Sequence, residues 1–131
     1  MQRMAALLLV FSVTLLAESL KPADVKIAGD IDYGQTSPAI DYTNDPPYRA
    51  LVFNGNSGDQ IQVTVKDNDH KAWVAIADGS LKELATGTME LTFTLPNAGP
   101  DLQAYYIVFR DSGKQPATFT VELKKLSASP K

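Results

Sequence analysis

The chain has 131 residues, a net charge of −3, 44% hydrophobic and 21% charged residues, one histidine and no cysteine. That is enough chain and apolar content for one domain with a core, and too much for a disordered acidic segment. It rules out disulfides and thiolate chemistry, and gives neither the basic footprint of a nucleic-acid binder nor a polybasic membrane patch.

The chain opens with Arg3, then an apolar run at residues 7–16 interrupted only by Ser12 and Thr14. Ala17-Glu18-Ser19 follows, with small residues placed for cleavage before Leu20; cleavage after Ala17 is the alternative. This predicts a secretory signal peptide over residues 1–19. The apolar run is too short for a membrane span, which needs about 20 residues. Arg3 and Glu18 leave together, so the net charge is unchanged. The remainder has no lipid-accepting cysteine and no glycosylation sequon. A secreted or periplasmic bacterial protein is expected, not embedded in the membrane after cleavage.

From residue 20 the pattern is strands and turns. Val25 and Ile27 alternate with Lys26 and begin the first strand, which residues 29–34 continue between two glycines. Residues 35–47 hold three prolines, so neither a central strand nor a helix is expected there. Residues 48–65 read as two strand runs around a Gly/Asn loop at 54–59. Ile61, Val63 and Val65 alternate with Gln62 and Thr64, so a half-buried antiparallel hairpin is predicted. Ala50 and Val52 are apolar on the face opposite Leu51 and Phe53, which suggests cover on both sides.

After a polar turn at 67–70, residues 71–77 form a strand with Val74 and Ile76 on one face and Trp73, Ala75 and Ala77 on the other. Asp78-Gly79-Ser80 turns the chain, and residues 81–85 are ambiguous. Met89, Leu91, Phe93 and Leu95 alternate with Glu90, Thr92 and Thr94. Residues 104–110 are the most hydrophobic strand, expected at the centre of its sheet, and the Tyr105-Tyr106 pair is expected in the core. Phe119, Val121 and Leu123 mark the last strand. Seven to eight short strands with turns between them predict an all-β, antiparallel, two-sheet β-sandwich of jelly-roll type. One domain over residues 20–126 and a flexible tail at 127–131 complete the division.

The order of these signals resembles the bacterial pre-peptidase C-terminal (PPC) domain family. Residues 29–34 resemble its opening G-x-L-x-x-G, and Leu51–Phe53 with the Gly58-Asp59 turn and residues 60–65 resemble its aromatic strand, GD turn and alternating strand. Val74, Ile76 and Asp78 before Gly79 fall at the marked places of L-x-L-x-D-x-x-G. Residues 91–96, 105–109 and 119–123 resemble the remaining strands, so the likeness spans residues 25–125. The resemblance implies a secreted β-sandwich, often appended to proteases or other exported enzymes as a noncatalytic accessory or targeting module. Some relatives bind collagen or other polymers, and some bind calcium. A stand-alone sandwich with no attached enzyme domain is the expectation here, and no calcium ligand matches residue by residue.

The residues offer few sites. Asp67-Asn68-Asp69-His70 gathers oxygen ligands in one turn, and Asp67 and Asp69 are candidate ligands for calcium, which takes 6–8 oxygens; a solvated turn is the plainer reading. Asp30 and Asp32 are a second donor pair. Tyr33, Tyr42, Tyr48 and Trp73 are candidates for an aromatic ligand platform, against the reading that Trp73 and Tyr48 only pack beneath residues 35–47. Catalysis would have to use His70, which has no nucleophile-elbow pattern nearby, and there is no Walker loop or dinucleotide fingerprint. The expected function is therefore an exported, noncatalytic module, monomeric, binding an extracytoplasmic polymer or protein. No cofactor is expected beyond calcium. A carbohydrate-binding module and a small hydrolase using His70 are the alternatives.

Overall fold

The computed structural model describes residues 19–66, 71–96 and 102–127. The signal-peptide assignment and the Asp67–His70 turn therefore lie outside the described residues, apart from Ser19. Among the described residues, a 3-10 turn at Pro22–Asp24 precedes ten strands: β1 Val25–Asp30, β2 Gln35–Thr36, β3 Ile40–Tyr42, β4 Tyr48–Gly55, β5 Gln60–Lys66, β6 Ala72–Ala77, β7 Glu83–Thr88, β8 Glu90–Thr94, β9 Gln103–Asp111 and β10 Ala117–Ser127.

They form an open sandwich. One layer has the order β1-β4-β9-β6-β7; the other has β8-β5-β10, with β2 and β3 both on β10. The β9 strand lies between β4 and β6, inside its layer, as its hydrophobicity predicted. Two strands exceed the predicted count because the proline-rich segment contributes β2 and β3. They are short and sit beside β10, where prolines on either side do no harm to a ladder. The β1–β4 pair is parallel, a departure from the all-antiparallel expectation. The last strand runs through Ser127, the first residue assigned to the tail.

The predicted hairpin at 48–65 does not form. The β4 strand pairs with β1 and β9, and β5 pairs with β8 and β10, so residues 56–59 carry the chain from one layer to the other. The physical reason is visible at both ends of the crossing. Gly55 is buried against Leu95 and the Tyr33 hydroxyl, with no room for a Cβ, so the chain passes close over the end of the core. Beyond it, Gly58 N–H donates to the Leu95 carbonyl and Leu95 N–H to the Asp59 carbonyl, which fixes the far arm to the end of β8.

The layers meet again at β7 and β8, joined by the single pair Thr88↔Glu90. Met89 between them has φ 66°, a left-handed turn that folds the ladder over the sandwich edge. Its N–H donates to Ala72 and its carbonyl accepts from Val65, tying β6 to β5 across the corner. Inside, Leu51, Phe53, Val74, Ile76, Ile107 and Phe109 of one layer face Val63, Val65, Phe119, Val121 and Leu123 of the other in one buried cluster. Phe109 and Phe119 meet edge to face across the layers at 5.9 Å.

Candidate functional site

The outer face of the β1-β4-β9-β6-β7 layer is apolar, as Ala50 and Val52 suggested. Along it Ala50, Ala75, Ala77 and Val108 are fully buried. The cover is the lead-in at residues 19–24, not the proline-rich segment. Leu20 N–H donates to the Leu81 carbonyl beside β7, Ser19 bridges Lys82, and Val25 pairs with Tyr48 on the far side of the layer. The strap thus crosses β6, β9 and β4, and small side chains beneath it leave room for its backbone. Residues 35–47 instead pair with β10, held by buried Arg49. Its guanidinium donates to the carbonyls of Pro46 (2.7 Å) and Asp41 (3.3 Å) and to Thr43 Oγ1 (3.1 Å).

Past the strap, the same face carries a row of larger side chains. Tyr48 and Trp73 have ring centroids 5.5 Å apart, and the Arg110 guanidinium lies 5.6 Å from the Trp73 ring. Tyr48, Trp73, Arg110 and Tyr106 are half-buried, so each presents part of its surface outward. A half-buried ring is held rigid by its packed part, and it gives contact area at little entropic cost. The Arg110 Nη1 is anchored to the carbonyls of Asp111 (3.0 Å) and Ser112 (3.3 Å), which fixes the cation beside the indole.

Of the four aromatic residues singled out in the sequence, Tyr48 and Trp73 come together here and the others do not. Tyr42 is buried in the core against Phe119, its hydroxyl donating to the Pro47 carbonyl at 2.8 Å. Tyr33 lies at the arch end of the sandwich and donates to Asp59 Oδ2 at 2.8 Å. Sequence reasoning missed Arg110 and Tyr106. Both share the outward register of Val108, so alternation along β9 held the signal, but two adjacent tyrosines obscured it. Tyr105 is in the core and Tyr106 is not.

The Tyr33–Asp59 pair is a structural device. Asp59 Oδ2 also accepts the Asn56 N–H at 3.0 Å, and Lys125 Nζ lies 3.6 Å from Oδ1. Burial raises the Asp59 pKa, but the Asn56 N–H, the Tyr33 hydroxyl and Lys125 outweigh it and hold the carboxyl below its ordinary value. Burial, and then Asp59 itself, push the Tyr33 phenol well above its ordinary value. Asp78 and Asp111 organise their turns in the same manner, each carboxylate accepting two backbone N–H groups.

Asp30 and Asp32 are exposed beside a hollow of about 470 Å³ that Ile27, Val52 and Asn54 also line. Among the described residues no three His, Cys, Asp or Glu side chains gather as a metal site. Among them, too, no helix is long and apolar enough to cross a membrane.

No protein-family model and no curated protein sequence matches the chain. Among solved structures it is similar to the pre-peptidase C-terminal domain of collagenase from Bacillus anthracis, with TM-score 0.57 and 17% identity over 81% of this chain and 100% of that one. It is also similar to PliG of Aeromonas hydrophila, a periplasmic inhibitor of g-type lysozyme, with TM-score 0.48 and 12% identity over 76% and 99% of the two chains. The first likeness shows the fold: this chain is a PPC-like all-β sandwich, as the order of its motifs suggested.

Proposed function

We propose that the protein is an exported, noncatalytic accessory module that binds an extracytoplasmic polymer through the outer face of its β1-β4-β9-β6-β7 layer. The observation that carries this is the row Tyr48–Arg110–Trp73: two rings in contact and an anchored guanidinium, part-exposed on the outer face of the sheet. A sheet face with rigid aromatics suits an extended ligand better than a small one, because it offers contact area along the sheet. Export is supported by the apolar run and cleavage site at the start of the chain. The absence of a catalytic motif in the sequence supports a binding role.

Co-sedimentation with insoluble polymers (cellulose, chitin, peptidoglycan sacculi and collagen fibres) tests the reading. Retention on one of them, lost in Trp73→Ala and Tyr48→Ala with the fold intact, supports it. Retention that both variants keep, or none with any of these polymers, counts against it. The ion-assisted form of this reading places calcium at Asp67 and Asp69. A melting temperature that rises with calcium and falls with chelator supports that form; one that neither moves retires it.

A further inference from the structure

Two arginines belong to the β1-β4-β9-β6-β7 layer, and their surroundings differ. Arg49 is buried, and all three of its guanidinium nitrogens donate to protein oxygens: Nε to Asp41, Nη1 to Pro46 and Tyr48, Nη2 to Thr43. Arg110 is held through Nη1 alone, by the carbonyls of Asp111 and Ser112. Among the described residues its Nε and Nη2 meet no acceptor, and no carboxylate comes within ion-pair distance of it. The Tyr105 hydroxyl is the one side-chain polar atom among those residues that is both buried and unpaired, so Arg110 Nε and Nη2 are open to water. Those two nitrogens form the side of the fork that can take both oxygens of a carboxylate at once. Register sets what stands around them. Val25 pairs with Tyr48, Arg110 with Trp73 and Trp73 with Thr88, while Tyr48 and Arg110 lie one step beyond the Arg49↔Phe109 pair. Across five strands the row reads Val25, Tyr48, Arg110, Trp73, Thr88, with a single charge. Tyr48 and Trp73 stand on strands about 10 Å apart, either side of β9. Their centroids are 5.5 Å apart, so the rings lean together over β9.

We propose, resting on the polymer-face reading above, that the ligand is a sugar polymer whose rings carry carboxylates. One sugar ring lies on Tyr48 and Trp73, and its carboxylate accepts from Nε and Nη2 of Arg110. One guanidinium with two open nitrogens matches one unit charge shared by two oxygens. A phosphate monoester brings close to two charges and three strong acceptor oxygens, and the row has no second cation for it. An acidic protein presents its carboxylates on flexible stems that lose rotamer freedom on binding, whereas an acidic sugar carries the group on the ring itself. The guanidinium is already anchored, so ordering it costs little on binding. The net charge of −3 gives no general pull on polyanions, so a preference for an acidic polymer has to come from a local contact.

The test is co-sedimentation with cellulose, with C6-oxidised cellulose (the same chain bearing ring carboxylates) and with phosphocellulose. The oxidised form is expected to hold the protein about tenfold or more tighter than cellulose, the worth of hydrogen bonds to a charged group, and tighter than phosphocellulose. Arg110→Gln keeps the weaker hold on cellulose and loses the preference; Trp73→Ala loses both. Equal retention on cellulose and its oxidised form, tighter retention on phosphocellulose, or a preference that Arg110→Gln keeps overturns the carboxylate assignment. In each of those cases release by Trp73→Ala leaves the polymer face standing. Retention that Trp73→Ala keeps, or none on any of the three, overturns the polymer face and this proposal with it. The comparison of the two celluloses uses the wild-type protein, so it decides even where Arg110→Gln fails to fold.

Discussion

Asp59 shows how much of this fold hangs on single side chains. Its carboxylate closes the crossing between the layers by accepting from Asn56 N–H and the Tyr33 hydroxyl at once, while 3% exposed. Asp59→Ala is expected to cost about 1.5–3 kcal/mol, the range for hydrogen bonds to a charged group, measured by urea unfolding. The lowered carboxyl pKa also sets a sign. A carboxylate held below its ordinary 3.8 contributes stability that is present above that value and lost as pH falls through the folded one. The raised Tyr33 phenol acts at the other end, contributing stability below its ordinary 10.0 that is lost as pH rises beyond it. Stability against pH should therefore fall off at both ends. Asp59→Asn should flatten the acid limb and Tyr33→Phe the alkaline one; limbs unchanged in both variants would show that other groups govern them.

Among the elements, the strap at residues 19–24 has the clearest consequence. It covers the alanine row of the outer face with Leu20 and Val25 packed on Ala50, Ala77 and Val108. Leu20→Asp should lower stability by about 1–2 kcal/mol and raise binding of a hydrophobic dye, since it lifts apolar area back into water. A variant that melts like wild type and binds no more dye would mean the strap contributes no cover. The strap also shows what the sequence concealed. Alternation in β5, β8 and β10 was legible because each has one wet face, and β9 was legible as a central strand from its continuous apolar run. The pairing partners were not. Residues 48–65 carry strand, turn and strand in the order of a hairpin, and nothing local distinguishes a hairpin from a crossing. The difference lies in Gly55 pressing on Leu95 and in the backbone hydrogen bonds that Gly58 and Asp59 make with Leu95, contacts between residues too far apart for any window along the chain to contain.

For the molecule as a whole, the two faces of one layer divide the work. The inner face makes the core with the second layer, and the outer face holds the strap at one part and the Tyr48–Arg110–Trp73 row at another. The candidate site was half legible: Tyr48 and Trp73 were identifiable as aromatic residues outside the core alternation, whereas Tyr33 and Tyr42 share their chemistry but point into structural roles. What separates the two pairs is strand register for Tyr42, Tyr48 and Trp73, and for Tyr33 its place in the turn between β1 and β2. Trp73 is the sole tryptophan, so the face reports on itself. The direct test is acrylamide quenching of Trp73 fluorescence with and without the polymer that retains the protein. Shielding of Trp73 in the bound form is the predicted result; quenching identical in the free and bound protein would contradict the assignment of this face.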